Sequence, residues 1–168
     1  DYNLVFDYAV NCWIRNIEGN YSDRGHVAIN RSAHIEIRDS YFHHAHNYGG
    51  GGHGYGVNLQ DHATDCLIEN NIFYFLRHAF LAKEGSIGNV FAYNYSHTPN
   101  GSNNDIALHG HYGLYNLLEG NVVQKIIAGD YWGPSGPGNT YFRNRVETSD
   151  IEMADYTHEQ NIIANEIV

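Results

Sequence analysis

Hydrophobic and polar positions along this chain follow a phrase that returns seven times: an apolar pair, a spacer, an Asn or Asp, then apolar residues again. It reads Trp13-Ile14-Arg15-Asn16, Ile35-Glu36-Ile37-Arg38-Asp39 and Leu67-Ile68-Glu69-Asn70-Asn71. It returns as Val90-Phe91-Ala92-Tyr93-Asn94, Leu117-Leu118-Glu119-Gly120-Asn121, Tyr141-Phe142-Arg143-Asn144 and Ile162-Ile163-Ala164-Asn165. Anchored on Asn16, Asp39, Asn71, Asn94, Asn121, Asn144 and Asn165, the steps are 23, 32, 23, 27, 23 and 21 residues. A period in this range, with strand-like alternation and no helical stripe, predicts a solenoid. Each coil is too small to bury an apolar face alone, and stacked neighbours make the core continuous. The anchor Asn suits a sharp corner, because it tolerates left-handed backbone and bonds its own main chain. At one register such residues also form an amide ladder up the stack. The predicted fold is an all-β parallel β-helix of about seven coils over residues 1–168, about 35 Å long at the usual strand spacing.

A second strand per coil shows as His26-Val27-Ala28-Ile29-Asn30, Gly56-Val57-Asn58-Leu59-Gln60, Ala79-Phe80-Leu81-Ala82-Lys83 and Ile106-Ala107-Leu108-His109. Apolar residues two apart give each strand one buried face, so Asn58, Gln60, Lys83 and His109 are expected to point outward on one side of the rod. Two coils are overlong. Their surplus falls near 43–56 and 98–105, after the anchor and before the second strand, and so leaves the rod at one corner two coils apart. A third Gly- and Pro-rich loop, near 129–138, is expected at a similar position. Inserted loops grouped on one face of a solenoid often build its binding surface. The expectation is a groove walled by these loops and floored by the second strand.

With nine Lys+Arg against 19 Asp+Glu, the chain carries a formal charge of −10. That argues against a nucleic-acid partner, which calls for a basic stripe. No stretch has the ~18 apolar residues of a membrane span. Cys12 and Cys66 occupy nearly the same repeat position two coils apart, about 10 Å along the stack and beyond the ~7 Å reach of a disulfide. Two free, buried thiols are expected, and they leave the compartment open. No polar cap is visible at either end, so the reading expects a piece of a longer solenoid, with end-to-end self-association as a further outcome.

Three constellations carry candidate chemistry. The histidine-rich loop His43-His44-Ala45-His46, with His53, suggests a transition-metal site at His44 and His46, since imidazole suits such ions; the bland alternative is that strand alternation splits these rings between faces. The second joins Lys83-Glu84 to His109-Gly110-His111 on the next coil, with Gln60-Asp61-His62 below and Asp130 above. β-Elimination on a uronic-acid chain needs a base for the C5 proton, a cation at the carboxylate and an acid for the leaving oxygen. Lys83 is the candidate base if its neighbours lower its pKa. His109 or His111 is the candidate acid, and Asp61, Glu84 and Asp130 are candidate Ca²⁺ ligands. Hydrolysis by paired carboxylates is the third chemistry, though no spacing selects a pair. Asn58 and Gln60 with Tyr55, Tyr112, Tyr131 and Trp132 are the candidate substrate contacts, the rings as faces for sugars. A plain solvated face is the alternative throughout.

The repeated Asn phrase resembles the right-handed parallel β-helix superfamily typified by pectate lyases, over the whole chain. More narrowly, Leu81-Ala82-Lys83-Glu84, Gly88-Asn89-Val90 and Leu108-His109-Gly110-His111 before Glu119-Gly120-Asn121 look like the alginate-lyase and chondroitinase-B branch. That resemblance implies a lysine base on one coil, an arginine on the next and Ca²⁺ at the sugar carboxylate. Lys83 matches the lysine, whereas His109 stands where the arginine belongs. Arg77-His78 to Tyr95 and His109 to Val146 also resemble large secreted bacterial β-helix proteins. The expectation is an extracellular or cell-surface protein with a polysaccharide partner and lyase-like cleavage. The alternative is a glycan-binding or structural solenoid without catalysis.

Overall fold

The computed structural model describes residues 1–100, 104–129 and 131–168. Its strands form three parallel seven-stranded sheets, each taking one strand from every turn of a β-solenoid. Among the described residues there is no helix, and so none long and apolar enough to cross a membrane. The first sheet holds Tyr2–Asp7, Gly25–Asn30, Tyr55–Gln60, His78–Lys83, Ile106–His109, Ile126–Ala128 and Ile151–Met153. The apolar pairs of the repeated phrase form the second sheet, for example Leu67–Glu69 and Val90–Ala92. The third sheet, with Tyr41–Ala45, Ile72–Tyr74 and Tyr95–His97, was not separated in the sequence reading, which had two strands per coil. Its strands follow the anchor after a single corner, so the two runs read as one.

Inward residues of all three sheets meet along the axis. Val57, Leu59, Phe80, Ala82, Ile106 and Leu108 from the first sheet pack against Ile37, Ile68, Phe91 and Leu118 from the second and Phe42, Phe73 and Val123 from the third. The rings of Phe42, Phe73, Phe80 and Phe91 follow one another at centroid distances of 5.6, 5.7 and 4.9 Å. Full burial of each such side chain contributes on the order of 1.5–3 kcal/mol.

An amide ladder closes the corner between the second and third sheets. The backbone N–H groups of Ser40, Asn71, Asn94, Asn121 and Asn144 each donate to the side-chain oxygen of the Asn one coil on, at 2.9–3.1 Å. Each inner amide also donates backwards: Asn94 to the carbonyl of Ile68, Asn121 to that of Phe91. The residue just before each ladder position carries the left-handed backbone: Asn16, Asp39, Asn70, Tyr93, Arg143 and Ala164 have φ of 51–55°, and Gly120 has 62°. Corner and ladder are therefore neighbouring positions rather than one. Asn16 and Asp39 are corner residues, and their coils place Ile17 and Ser40 in the ladder row. A ladder amide must face inward to reach the next coil, whereas the corner side chain faces water. A second ladder, Asn89-Asn116-Asn139, stands at the corner before the second sheet.

Cys66, buried at that register with its thiol pushed up to about 11 by desolvation, is free, as is Cys12. Cys12 is half-exposed rather than buried as expected. The first residues of the 43–56 insertion, 43–45, complete the third-sheet strand Tyr41–Ala45 before the chain loops through 46–54 into the first sheet; the 98–105 segment leaves the same corner two coils on, its residues 101–103 lying outside the described residues. The 129–138 loop does not share that corner. It follows the short first-sheet strand Ile126–Ala128 and so leaves between the first and second sheets. Replacing Asn121 with Ala strands the Asn94 amide and the Phe91 carbonyl, and should lower unfolding free energy in urea by about 3 kcal/mol. Asn70→Gly at an exposed left-handed corner should stay within about 1 kcal/mol of the parent.

Candidate functional site

Where the first sheet turns its outer face to solvent, its strands floor a groove. Parallel register sets Ala28, Asn58, Leu81, Ala107 and Ile127 in one row. Tyr55, Leu81, Ala107 and Ile127 pack there as a small apolar cluster outside the main core. One register on, Asn30 stands opposite Gln60, and Lys83 opposite His109. Adjacent parallel strands lie about 4.8 Å apart, so Lys83 and His109 are next-rung neighbours on the same face. The cavity above this floor has a volume of about 1020 Å³.

Most of the sequence-predicted residues line this one cavity: Tyr55, Gln60, Lys83, Glu84, His109, His111, Tyr112, Tyr131 and Trp132. Lys83 is largely covered, its Nζ 3.6 Å from Glu84 Oε1. His62 and His111 stand on the same corner either side of Gly85, where the His62 amide donates to the Glu84 carbonyl and the Gly85 amide to that of His111. Gly133 is required by close approach: at φ 138°, a side chain there would meet the His111 ring. The 129–138 loop thereby brings the exposed, mutually packed Tyr131 and Trp132 to the end of the groove, ring centroids 4.4 Å apart. Tyr55, expected to offer a ring face, is instead a floor residue in the strand Tyr55–Gln60 at 5% exposure.

Other predicted residues lie elsewhere. Asn58 faces the outer side but is fully buried, because Tyr2 of the first coil reaches across to it. The Asn58 amide donates to Tyr2 Oη and to Gln60 Oε1, both at 2.7 Å. Asp61 is drawn off by Arg31, which bridges it at 3.0 Å to Asp7 at 2.7 Å. Asp130 lies outside the described residues. With Asp61 paired to Arg31 and Glu84 to Lys83, the described carboxylates expected to hold Ca²⁺ each face a cation instead of one another. Among the described residues, no three His, Cys, Asp or Glu side chains gather as metal ligands.

His44 and His46 belong to the third sheet's outer face and its following loop, where Tyr21 stacks on both rings at 5.3 and 5.2 Å. The expected alternation of His43 and His44 fails, because His44 has φ 53°. Their Nδ1 atoms come within 2.8 Å, and His43 Nε2 lies 3.0 Å from Glu18 Oε1.

Among the cavity residues missed from sequence are two cations, Arg24 and Arg77. The signal was present as an arginine just before two first-sheet strands, in Arg24-Gly25-His26 and Arg77-His78. No protein-family model matches the chain, and a search of curated proteins finds no match. Fold and site together define a parallel β-solenoid with a cation-lined groove on its first sheet.

Burial lowers the pKa of His26 to about 4 and of His78 to about 3, against carbonyl contacts with His44 and Asn104 that oppose the shift. Both folded values lie below the unfolded value near 6.5, so the unfolded chain binds more protons as pH falls below it. Asp105 has the opposite sign: burial raises it to about 6, so protonation between about pH 6 and 4 favours the fold. Urea unfolding at pH 7 and pH 4.5 should show the His26→Gln/His78→Gln double variant losing less stability on acidification than the parent. Each histidine accounts for up to about 1.4 kcal/mol per pH unit.

Proposed function

We propose that the groove binds an acidic polysaccharide and cleaves it by β-elimination, as a pectate-lyase-like protein working outside the cell or at its surface. The observation that carries this reading is the pairing of Lys83 with His109 across adjacent strands of the same concave face. In the proposed reaction, Lys83 Nζ takes the proton at C5 of a uronate. The electron pair left on C5 forms the C4–C5 double bond as the C4–O bond breaks, and His109 gives its proton to the departing oxygen. His111, on the neighbouring corner, is the alternative acid. Cations at the groove oppose the charge that develops on the uronate carboxylate. Exposed Tyr112, Tyr131 and Trp132 offer ring faces to the sugar chain, and Gln60 a hydroxyl partner. Ca²⁺ remains a proposed helper at the carboxylate, and no step above runs through it.

One observation favours the second reading, glycan binding without cleavage. Lys83 is ion-paired with Glu84, and a base must be released from such a partner to take a proton.

The test is an ultraviolet assay for unsaturated ends, using purified protein with alginate, polygalacturonate, chondroitin sulfate and a neutral glycan, each with Ca²⁺ and with chelator. The expected outcome is absorbance on at least one uronate polymer, abolished in Lys83→Ala and lowered about 100-fold or more in His109→Ala. Chelator-sensitive rates would support the Ca²⁺ helper. Silence on every polymer from a folded protein, with binding retained, would replace the lyase by the binding reading.

A further inference from the structure

Among the described residues, Arg24 and Arg77 stand out by their lack of acidic partners. The chain has 19 Asp+Glu against nine Lys+Arg. Arg15, Arg31, Arg38, Lys83, Lys125 and Arg145 all form ion pairs with carboxylates. Among the described residues Arg24 and Arg77 form none, although acids outnumber bases two to one. Arg143, the third such residue, lies over the Phe142 ring. Arg24 and Arg77 instead face the same cavity, on the opposite rim from Lys83, His109 and His111.

The fold holds them there. The Tyr55 amide donates to the Arg24 carbonyl at 3.0 Å, and the Arg77 amide to the Gly54 carbonyl at 2.7 Å, which puts the two arginines two coils apart, on either side of Gly54. Their α-carbons are thus about 10 Å apart. Gly54, at φ 76°, adds no side chain between them, and a Cβ there would press on Arg77 Cβ at 3.1 Å. The glycine-rich loop steadies both heads: Arg77 Nη1 donates to the Gly49 carbonyl at 3.0 Å, and Arg24 Nη2 to that of Gly51 at 3.5 Å. Arg77 also lies 5.8 Å from the centre of the Tyr55 ring. Each guanidinium has five N–H donors in a planar fork suited to an oxyanion, and one of the five is used by the loop.

We infer that Arg24 and Arg77 form a second anion-binding subsite, which takes a carboxylate or sulfate group of an acidic glycan across the apolar floor from Lys83. This rests on the reading of the groove as an acidic-glycan site and extends it. Arg77 and Lys83 are six residues apart on one extended strand, about 20 Å, so a ligand that engages both rims is an oligomer. Bridging two subsites raises affinity well beyond that of either alone.

The test is calorimetric titration of the folded chain with polygalacturonate oligomers, dextran sulfate, neutral dextran and monomeric galacturonate, at low and high salt. The proteins are the parent, Lys83→Ala and the double variant Arg24→Gln/Arg77→Gln, each checked by circular dichroism. The parent should bind at least one acidic polymer, more weakly as salt rises, and galacturonate far more weakly than its oligomers. The double variant should weaken that binding about tenfold or more and flatten its salt dependence, with the fold unchanged. Carboxylate and sulfate sources separate by which polymer shows the loss. Equal binding by parent and double variant, or equal binding of neutral dextran by the parent, overturns the subsite. The ultraviolet assay keeps the two proposals apart. Binding lost in the double variant without product from the parent leaves the subsite standing and removes the lyase; product formation with unaltered binding in the double variant does the reverse.

Discussion

Parallel stacking in register is the constraint on which the rest of this molecule depends, and the buried asparagines enforce it. A side-chain oxygen of one coil accepts the backbone N–H of the coil before it, from Ser40 through Asn144. Slipping a coil by one residue would break that bond and turn every core residue of the coil outward. The same fixed register lines up Phe42, Phe73, Phe80 and Phe91 inside. Outside, it sets Lys83 beside His109. A groove built this way needs no lid or second domain. It is the outer surface of a rigid sheet, with loops inserted where the corners permit extra length.

Charge then separates this face from the others. Over most of the rod the few cations are tied to carboxylates, as Arg31 is to Asp7 and Asp61, and Lys125 to Asp150 and Glu152. Along the groove, Arg24 and Arg77 on one rim face Lys83, His62, His109 and His111 on the other, and among the described lining residues Glu84, paired with Lys83, is the one acid. An acidic protein repels polyanions at long range but can still hold one in a locally cationic cleft, because screening at physiological salt confines each field to about 8 Å. Half-buried Ile127, packed on buried Leu81 and Ala107, is the apolar part of the groove floor.

The solenoid was legible because one physical need, a buried amide at each corner, writes the same residue into nearly every coil. Where the need is met differently, the pattern misleads. Ser40 replaces the ladder asparagine with a shorter hydroxyl, and the eye moves to Asp39 instead. The Lys83–His109 pairing followed from the repeat alone, since register converts sequence spacing into adjacency. What depends on a side chain crossing between coils did not. Tyr2 covering Asn58, Arg31 capturing Asp61 and His44 turning back on His43 each involve local geometry or residues 23 or more positions away. Arg24 and Arg77 were passed over because a lone arginine before a strand reads as surface. What distinguishes them is the absence of an ion pair among the described residues combined with a place on the cavity rim.

The measurement that bears most directly on the groove as the working surface is histidine NMR. Ring Cε1–H signals, assigned by substitution, would be followed while an acidic oligosaccharide is added. Binding in the groove should move His62, His109 and His111, and leave in place His34, which shares their corner but does not line the cavity, and His43, His44 and His46 on the third sheet and its following loop. Movement confined to the third-sheet histidines, or none at saturating oligosaccharide, would contradict the account.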